Sequence, residues 1–146
     1  DRYMMTVLAT VDCPYFSVSR IEIDKTGKSY TIDTLKQLKA MPEYSDAEFY
    51  FITGLDAVLD IVSWQNPKEL MSLCKFVAVS RYGYARSRME ELPEELRSAI
   101  ISLEIPLLAI SSTGLRERVR RERSIRFLVS PSVEHFIRKN SLYRDI

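Results

Sequence analysis

The chain has 146 residues, 46% of them apolar and 28% charged, which suits one globular domain with a sizeable core and excludes a disordered chain. With 21 Lys and Arg against 20 Asp and Glu, the net charge of +1 gives no global pull toward nucleic acid or a membrane. A single histidine, His135, excludes every internal motif that needs two, including zinc-binding His-Glu-x-x-His.

Arg2 to Thr10 reads as a short helix with Met5, Leu8 and Ala9 at helical spacing. Cys13-Pro14 breaks it, and Tyr15 to Ile23 alternates as a strand should. Lys25-Thr26-Gly27-Lys28 is a turn, and Thr31 is the expected N-cap of a helix carrying Ile32, Leu35, Leu38 and Met41, closed by Pro42. A strand from Phe49 to Thr53 runs into Gly54-Leu55-Asp56 and a helical stretch with Leu55, Val58, Leu59 and Val62 inward. Pro67 opens a helix from Lys68 to Leu73, and Phe76 to Ser80 is a continuous apolar strand ending at Arg81-Tyr82-Gly83. The remaining expectations are a helix from Met89 to Leu103, a strand from Ile105 to Ile110, a cationic helix from about Leu115 to Arg123 capped by Ser111-Ser112-Thr113, a strand from Ile125 to Val129 and a helix from Pro131 to Lys139.

Strand and helix thus alternate, and three strands (Phe49 to Thr53, Phe76 to Ser80, Ile105 to Ile110) are apolar on both faces. That is the pattern of a doubly wound α/β domain, its mainly parallel sheet carrying helices on both faces. Cys13 and Cys74 form no CxxC pair and read as free thiols in a reducing compartment. No apolar run reaches the ~18 residues of a membrane span, so a soluble cytoplasmic protein with no membrane partner is expected.

Ligands of open parallel sheets bind at the carboxyl ends of the strands. Gly54 and Asp56, Arg81, and Ser111-Ser112-Thr113 follow the three apolar strands. From Ser111 to Arg126 there are six Arg and two Glu, a local +4 on a −3 background, next to a helix start whose free N–H groups suit an anion. Arg116 lies early in that helix, and Arg120 and Arg123 are expected on its face at i+4 and i+7. Each feature also has a plainer reading: a capped helix with a solvated basic face, a turn with Asp56 as N-cap, and Trp64 as core. Ser29-Tyr30-Thr31 precedes a helix and reads either as a cap or as a ligand-facing cluster. His135 reads as structural or exposed.

Taken in order, Ser29-Tyr30-Thr31-Ile32-Asp33-Thr34-Leu35, Gly54-x-Asp56 with Trp64 eight residues on, Arg81-x-Gly83, Ile110-Ser111-Ser112-Thr113-x-x-Arg116 and Leu142-Tyr143 resemble bacterial nicotinate-nucleotide adenylyltransferases along essentially the whole chain. The resemblance implies a Rossmann-like nucleotidyltransferase fold and transfer of AMP from ATP, with Mg²⁺, to nicotinate mononucleotide in NAD biosynthesis. It implies that Thr31, within Ser29-Tyr30-Thr31, helps hold the pyridine carboxylate and that Trp64 stacks on or beside the ring. Gly54 and Asp56 would receive the adenosine part, with Asp56 on the ribose hydroxyls. Ser112 and Arg116 would align the phosphates, within an ATP-binding run of Ile110, Ser111, Ser112, Thr113 and Arg116. Arg81 is placed loosely at the nucleotide site, among the substrate-binding residues. No residue of the chain is assigned to a metal.

Tyr82 stands where that family usually has Pro in Arg-Pro-Gly. The family's opening strand and Gly-x-Phe-Asp-Pro-x-His-x-Gly-His loop have no counterpart in these residues, and the chain begins at Asp1 rather than Met. The expectation is a single nucleotidyltransferase domain, 1–146, whose N-terminal βαβ portion lies outside the sequence and which alone is inactive or nearly so. A non-catalytic nucleotide-binding module of the same fold is the alternative. A nucleic-acid binder using Arg116 to Arg126 is disfavoured by the lack of interleaved aromatics. Preference between nicotinate and nicotinamide mononucleotide, and whether the chain forms a homo-oligomer, stay open.

Overall fold

The computed structural model describes residues 1–81, 89, 90, 92–106 and 108–144, with Arg81 described by its backbone alone. The chain divides into two compact units, Ile21–Leu107 and Asp1–Arg20 with Leu108–Ile146.

The first unit is built on a parallel three-stranded sheet of order β1-β2-β3, comprising β1 (Tyr50–Gly54), β2 (Lys75–Arg81) and β3 (Ile100–Ile105). Parallel neighbours need crossovers. Helices α3 (Leu55–Leu59) and α4 (Pro67–Leu73) connect β1 to β2, and α5 (Glu94–Ser98) lies between β2 and β3. Helix α2 (Thr31–Lys39) precedes the sheet and is tied to α4 by the Lys36–Glu69 ion pair at 2.6 Å. The start of α4 is written locally. Asn66 adopts the left-handed conformation (φ 50°) that asparagine tolerates better than most residues, and Pro67 occupies the first turn, where its missing N–H costs nothing.

The register pairs Phe51 with Phe76 and Phe76 with Ile100, placing these three on one sheet face. There they join Ile32 and Leu35 of α2, Leu55 and Val58 of α3, Ile61 and Leu70 in one apolar cluster. Phe76, Ile61, Leu70 and Val58 are fully buried, and truncating such a side chain to Ala typically costs about 2–5 kcal/mol. The opposite face carries Ile52, Ile101, Leu103 and Ile105, all exposed.

The second unit packs α1 (Arg2–Thr10), α6 (Ser112–Arg120) and α7 (Pro131–Lys139) around Ile125, Val133 and Ile137, with Met5, Leu8, Leu115 and Val119 against them. Helices α6 and α7 end alike. A left-handed residue follows each (Glu122, φ 54°; Ser141, φ 51°), and the next N–H returns to a carbonyl five residues back, Arg123 to Arg118 at 2.7 Å and Leu142 to Ile137 at 3.0 Å. These are Schellman turns, which satisfy carbonyls that a helix end leaves open.

Several expectations are corrected. Tyr15 to Ile23 forms no strand; Tyr15 and Phe16 are exposed, and β-propensity without a pairing partner makes no ladder. Thr31 is the first helical residue rather than the cap, which is Tyr30 in extended conformation. The helix expected from Met89 to Leu103 contributes α5 and stops at Ser98, because Ile100 onward pairs with β2. The strand expected from Ile105 to Ile110 is instead β3, ending at Ile105: Pro106 has no N–H to continue the ladder, and residues 108–110 have no regular structure. Ser111 therefore does not directly follow a strand. Ile125 to Val129 is a turn with one isolated bridge, Arg126 to Val129, and a left-handed Phe127. The cationic helix ends at Arg120, which puts Arg123 off its face.

Candidate active site

In the sheet unit, Ser29, Tyr30, Thr31, Ile32, Ser63 and Trp64 line one cavity of about 230 Å³, with Gln65 and Leu70. The start of α2 forms one side, so its first N–H groups lack intrahelical partners there. The hydroxyls differ in what they are free to do. Ser29 donates to the Glu22 carbonyl at 3.3 Å, pinning the preceding segment, whereas no described residue partners the Thr31 hydroxyl. Ser63 donates to the Asp60 carbonyl at 2.7 Å.

Trp64 is half-buried. Its ring meets Phe51 (centroids 5.8 Å, 86°) and Phe76 (6.2 Å, 71°) edge to face, and Phe51 and Phe76 lie 5.3 Å apart. Edge-to-face aromatic packing fixes ring orientation beyond what area burial gives. Trp64 therefore belongs both to the core and to the cavity wall, which joins its two sequence readings. Ser63 and Gln65 are not singled out by the sequence; their position on either side of Trp64 is the one signal that points to them.

Gly54 and Asp56 lie elsewhere, at the carboxyl end of β1. Gly54 ends that strand and is the N-cap of α3, with ordinary φ −67°. A Cβ built on Gly54 would meet nothing within 4 Å. Neither backbone nor neighbours demand glycine there, and the bare Cα faces open space that a ligand could approach closely. Asp56 is exposed in the first turn of α3 and is not the cap. Phe51, beneath Trp64, precedes Gly54 by three residues, about 10 Å along the strand. Arg81 ends β2 opposite Ile105, at the same carboxyl edge of the sheet; Tyr82 and Gly83 lie outside the described residues.

In the helical unit, Ile110 is exposed and precedes the cap. Ser111 is the N-cap of α6, its Oγ accepting the Gly114 N–H at 3.0 Å. A Cβ on residue 114 would sit 3.1 Å from that oxygen, so glycine keeps the cap bond unobstructed. Thr113 Oγ1 accepts from Arg116 Nη2 at 3.2 Å, turning the guanidinium back toward the helix start. The Ser112 hydroxyl has no partner among the described residues. Three of the arginines that follow are engaged. Glu117 pairs with Arg120 at 2.8 Å and Arg121 at 2.6 Å, and Arg118 Nε donates to the Ser124 carbonyl at 2.8 Å. The hydrogen bond from Arg120, then the charge of Arg121, hold the Glu117 carboxyl below its usual range. Within α6 this leaves Arg116 without a carboxylate partner among the described residues, near a helix start suited to an anion.

His135 is exposed on α7. Among the described residues there is no group of three His, Cys, Asp or Glu able to hold a metal, and no helix long and apolar enough to cross a membrane.

The family model described as Cytidylyltransferase-like matches residues 1–118. The probable nicotinate-nucleotide adenylyltransferase of Thermoanaerobacter sp. (strain X514) is 46% identical over 98% of this chain and 69% of its own length. The same enzyme of Mycolicibacterium gilvum (strain PYR-GCK) is 46% identical over 99% of the chain and 72% of its own. The Plasmodium falciparum nicotinic acid mononucleotide adenylyltransferase complexed with APC superposes with a TM-score of 0.67, covering 97% of this chain and 73% of that one. At 23% identity it attests the fold. With identity near one half along nearly the whole chain, over more than two thirds of these relatives, the chain belongs to the nicotinate-nucleotide adenylyltransferase family.

Proposed function

We infer that the protein transfers AMP from ATP to nicotinate mononucleotide, giving the deamido dinucleotide and pyrophosphate, a step of NAD biosynthesis. In that reaction a phosphate oxygen of the mononucleotide attacks the α-phosphorus of ATP. The bond from that phosphorus to the bridging oxygen breaks, and pyrophosphate leaves. No side-chain nucleophile is needed; alignment and neutralisation of charge carry the catalysis.

The observation that carries this reading is the cavity that gathers Ser29, Tyr30, Thr31 and Trp64. A flat ring suits Trp64, and a carboxylate suits the Thr31 hydroxyl and the first N–H groups of α2. Ser29, already bonded to Glu22, would position rather than bind. Gly54 would let adenosine approach the backbone, Asp56 would accept the ribose hydroxyls, and Arg81 would serve at the nucleotide site. Ser112 and Arg116 would hold the ATP phosphates, with Arg116 steadied by Thr113. Mg²⁺ would enter with ATP as part of that substrate, held mainly by its phosphates and water. Free Cys13 and Cys74 suit a reducing cytoplasm.

Trp64 is the sole tryptophan, so its fluorescence reports on the cavity directly. Titration with nicotinate mononucleotide is expected to change that emission saturably, and ATP with the mononucleotide is expected to release pyrophosphate in the enzyme that carries this chain. Emission indifferent to the mononucleotide would refute the reading.

A further inference from the structure

A second concavity, of about 340 Å³, lies wholly within the helical unit and away from the start of α6. Its floor is apolar, made by Val119, Ile125 and Ile137, the last two buried. Around that floor stand Arg123, Arg138 and Arg144, with Glu122 as the one carboxylate in the lining. Arg138 is paired with Glu134 at 2.9 Å. No described carboxylate pairs with Arg123 or Arg144.

The ordinary explanation for arginines at this end of a helix is that they cap its carbonyls and complement its dipole. Here the Schellman turns already do much of that: the N–H groups of Glu122 and Arg123 take the carbonyls of Val119 and Arg118, and those of Ser141 and Leu142 take those of Arg138 and Ile137. The same turns fix the backbone from which Arg123 springs. Two guanidinia without carboxylate partners among the described residues, a third already paired with Glu134, and an apolar floor make a lining of net positive charge. The unit around it is itself cationic, with eleven Lys and Arg against six Asp and Glu.

We propose that this concavity, formed by Arg123, Arg144 and Arg138 over Ile125 and Ile137, is a second anion site for a small phosphorylated molecule. Phosphate rather than carboxylate is the matching chemistry. A phosphate monoester carries about −1.5 to −2 at neutral pH, opposite in sign to the lining, and its oxygens accept the guanidinium fork bidentately. The apolar floor accommodates the organic part of such an ester. The site is separate from the substrate phosphates assigned to Ser112 and Arg116, and its occupant would bridge the turn after α6 to the segment after α7.

The test is calorimetric titration with butyl phosphate and with inorganic phosphate at constant ionic strength, using the intact chain, R116A and R123Q/R144Q. Binding is expected to persist within threefold in R116A and to weaken at least tenfold in R123Q/R144Q. R123K/R144K, which keeps charge but loses the fork, is expected to fall between. Butyl phosphate binding more tightly than phosphate would support an ester-binding floor; equal affinity would limit the site to the phosphate group alone and overturn that part. Circular dichroism of each variant separates lost binding from lost folding. Loss in R116A with full retention in R123Q/R144Q would overturn the proposal while leaving the adenylyltransferase reading intact. The converse pattern, with pyrophosphate release unchanged in R116A, would overturn the assigned substrate phosphates and leave this site standing.

Discussion

Ser111 and Ser112 are neighbours of one residue type, yet only the Ser111 hydroxyl is bonded among the described residues, and exchanging each for alanine tests the different roles proposed for them. Ser111 Oγ accepts the Gly114 N–H at 3.0 Å, and removing an N-cap oxygen costs about 1 kcal/mol. The entropy of unfolding is about 2.1 cal/mol/K per residue, or about 0.3 kcal/mol/K for 146 residues. S111A is therefore expected to lower Tm by about 3 °C if the whole chain melts together. If the unit of Asp1–Arg20 with Leu108–Ile146 melts alone, the same 1 kcal/mol is spread over fewer residues and Tm falls by about 8 °C. The Ser112 hydroxyl has no described partner, so S112A is expected to change stability by less than about 0.5 kcal/mol. Under the proposed role its loss is expected to fall on binding. A neutral donor to a charged phosphate oxygen contributes about 1.5–3 kcal/mol, so ATP affinity is expected to drop roughly ten- to a hundredfold. Differential scanning fluorimetry and ATP titration on both variants decide it. Equal destabilisation by the two, or an affinity loss in S111A alone, would refute the division.

T31V keeps the shape of Thr31 and removes its unpartnered hydroxyl; nicotinate mononucleotide is expected to bind roughly tenfold more weakly by Trp64 fluorescence, with nicotinamide mononucleotide nearly unaffected and Tm unchanged. Glu117, held low by Arg120 and Arg121, contributes stability that is present above the ordinary carboxylate value of 4.5 and lost as pH falls through the lowered folded value. E117Q is accordingly expected to show a smaller drop in Tm between neutral and acidic pH than the parent chain. Burial pushes the Cys74 thiol up to about 11, so the group favours folding below pH 9 and loses that contribution as pH rises between 9 and 11. Iodoacetamide at neutral pH is expected to label half-buried Cys13 first and Cys74 only in denaturant, as mass spectrometry of the peptides would show.

The strands β1 and β2 are legible in the sequence because they are short apolar runs bounded by turn signals and buried on one face by Phe51 and Phe76. The stretch from Met89 to Ile110 reads wrongly by about one element. Leu96, Ile100 and Leu103 fit helical spacing, and only the pairing of Ile100 and Ile101 with Phe76 and Val77 tells strand from helix. Pro106 reads as a permitted first residue of a strand, whereas it is the residue that stops one. Tyr15 to Ile23 shows the opposite error: its composition suits a strand, but a ladder requires a partner, and composition does not name one.

The candidate site is legible as residue types and not as assignments. Ser29-Tyr30-Thr31 and Trp64 stand apart in the sequence, and the cavity joins them. Within each cluster the chemistry depends on which polar group is already satisfied: Ser29 by Glu22 and Ser111 by Gly114, with Thr31 and Ser112 left unpartnered among the described residues. The same distinction governs the arginines. A count of six Arg and two Glu gives +4, but Glu117 draws in Arg120 and Arg121, and Arg118 holds a carbonyl. Charge that is paired locally is worth little to a ligand, since binding must first break the pair. Among the described residues no carboxylate pairs with Arg116 within α6, nor with Arg123 and Arg126 beyond its end, Arg126 lying over the Phe127 ring. Arg116, the fifth residue of α6, and Arg123, three residues past its end, are seven residues apart, roughly 10 Å at a helical rise. That spacing is what lets variants at Arg116 and Arg123 be read independently.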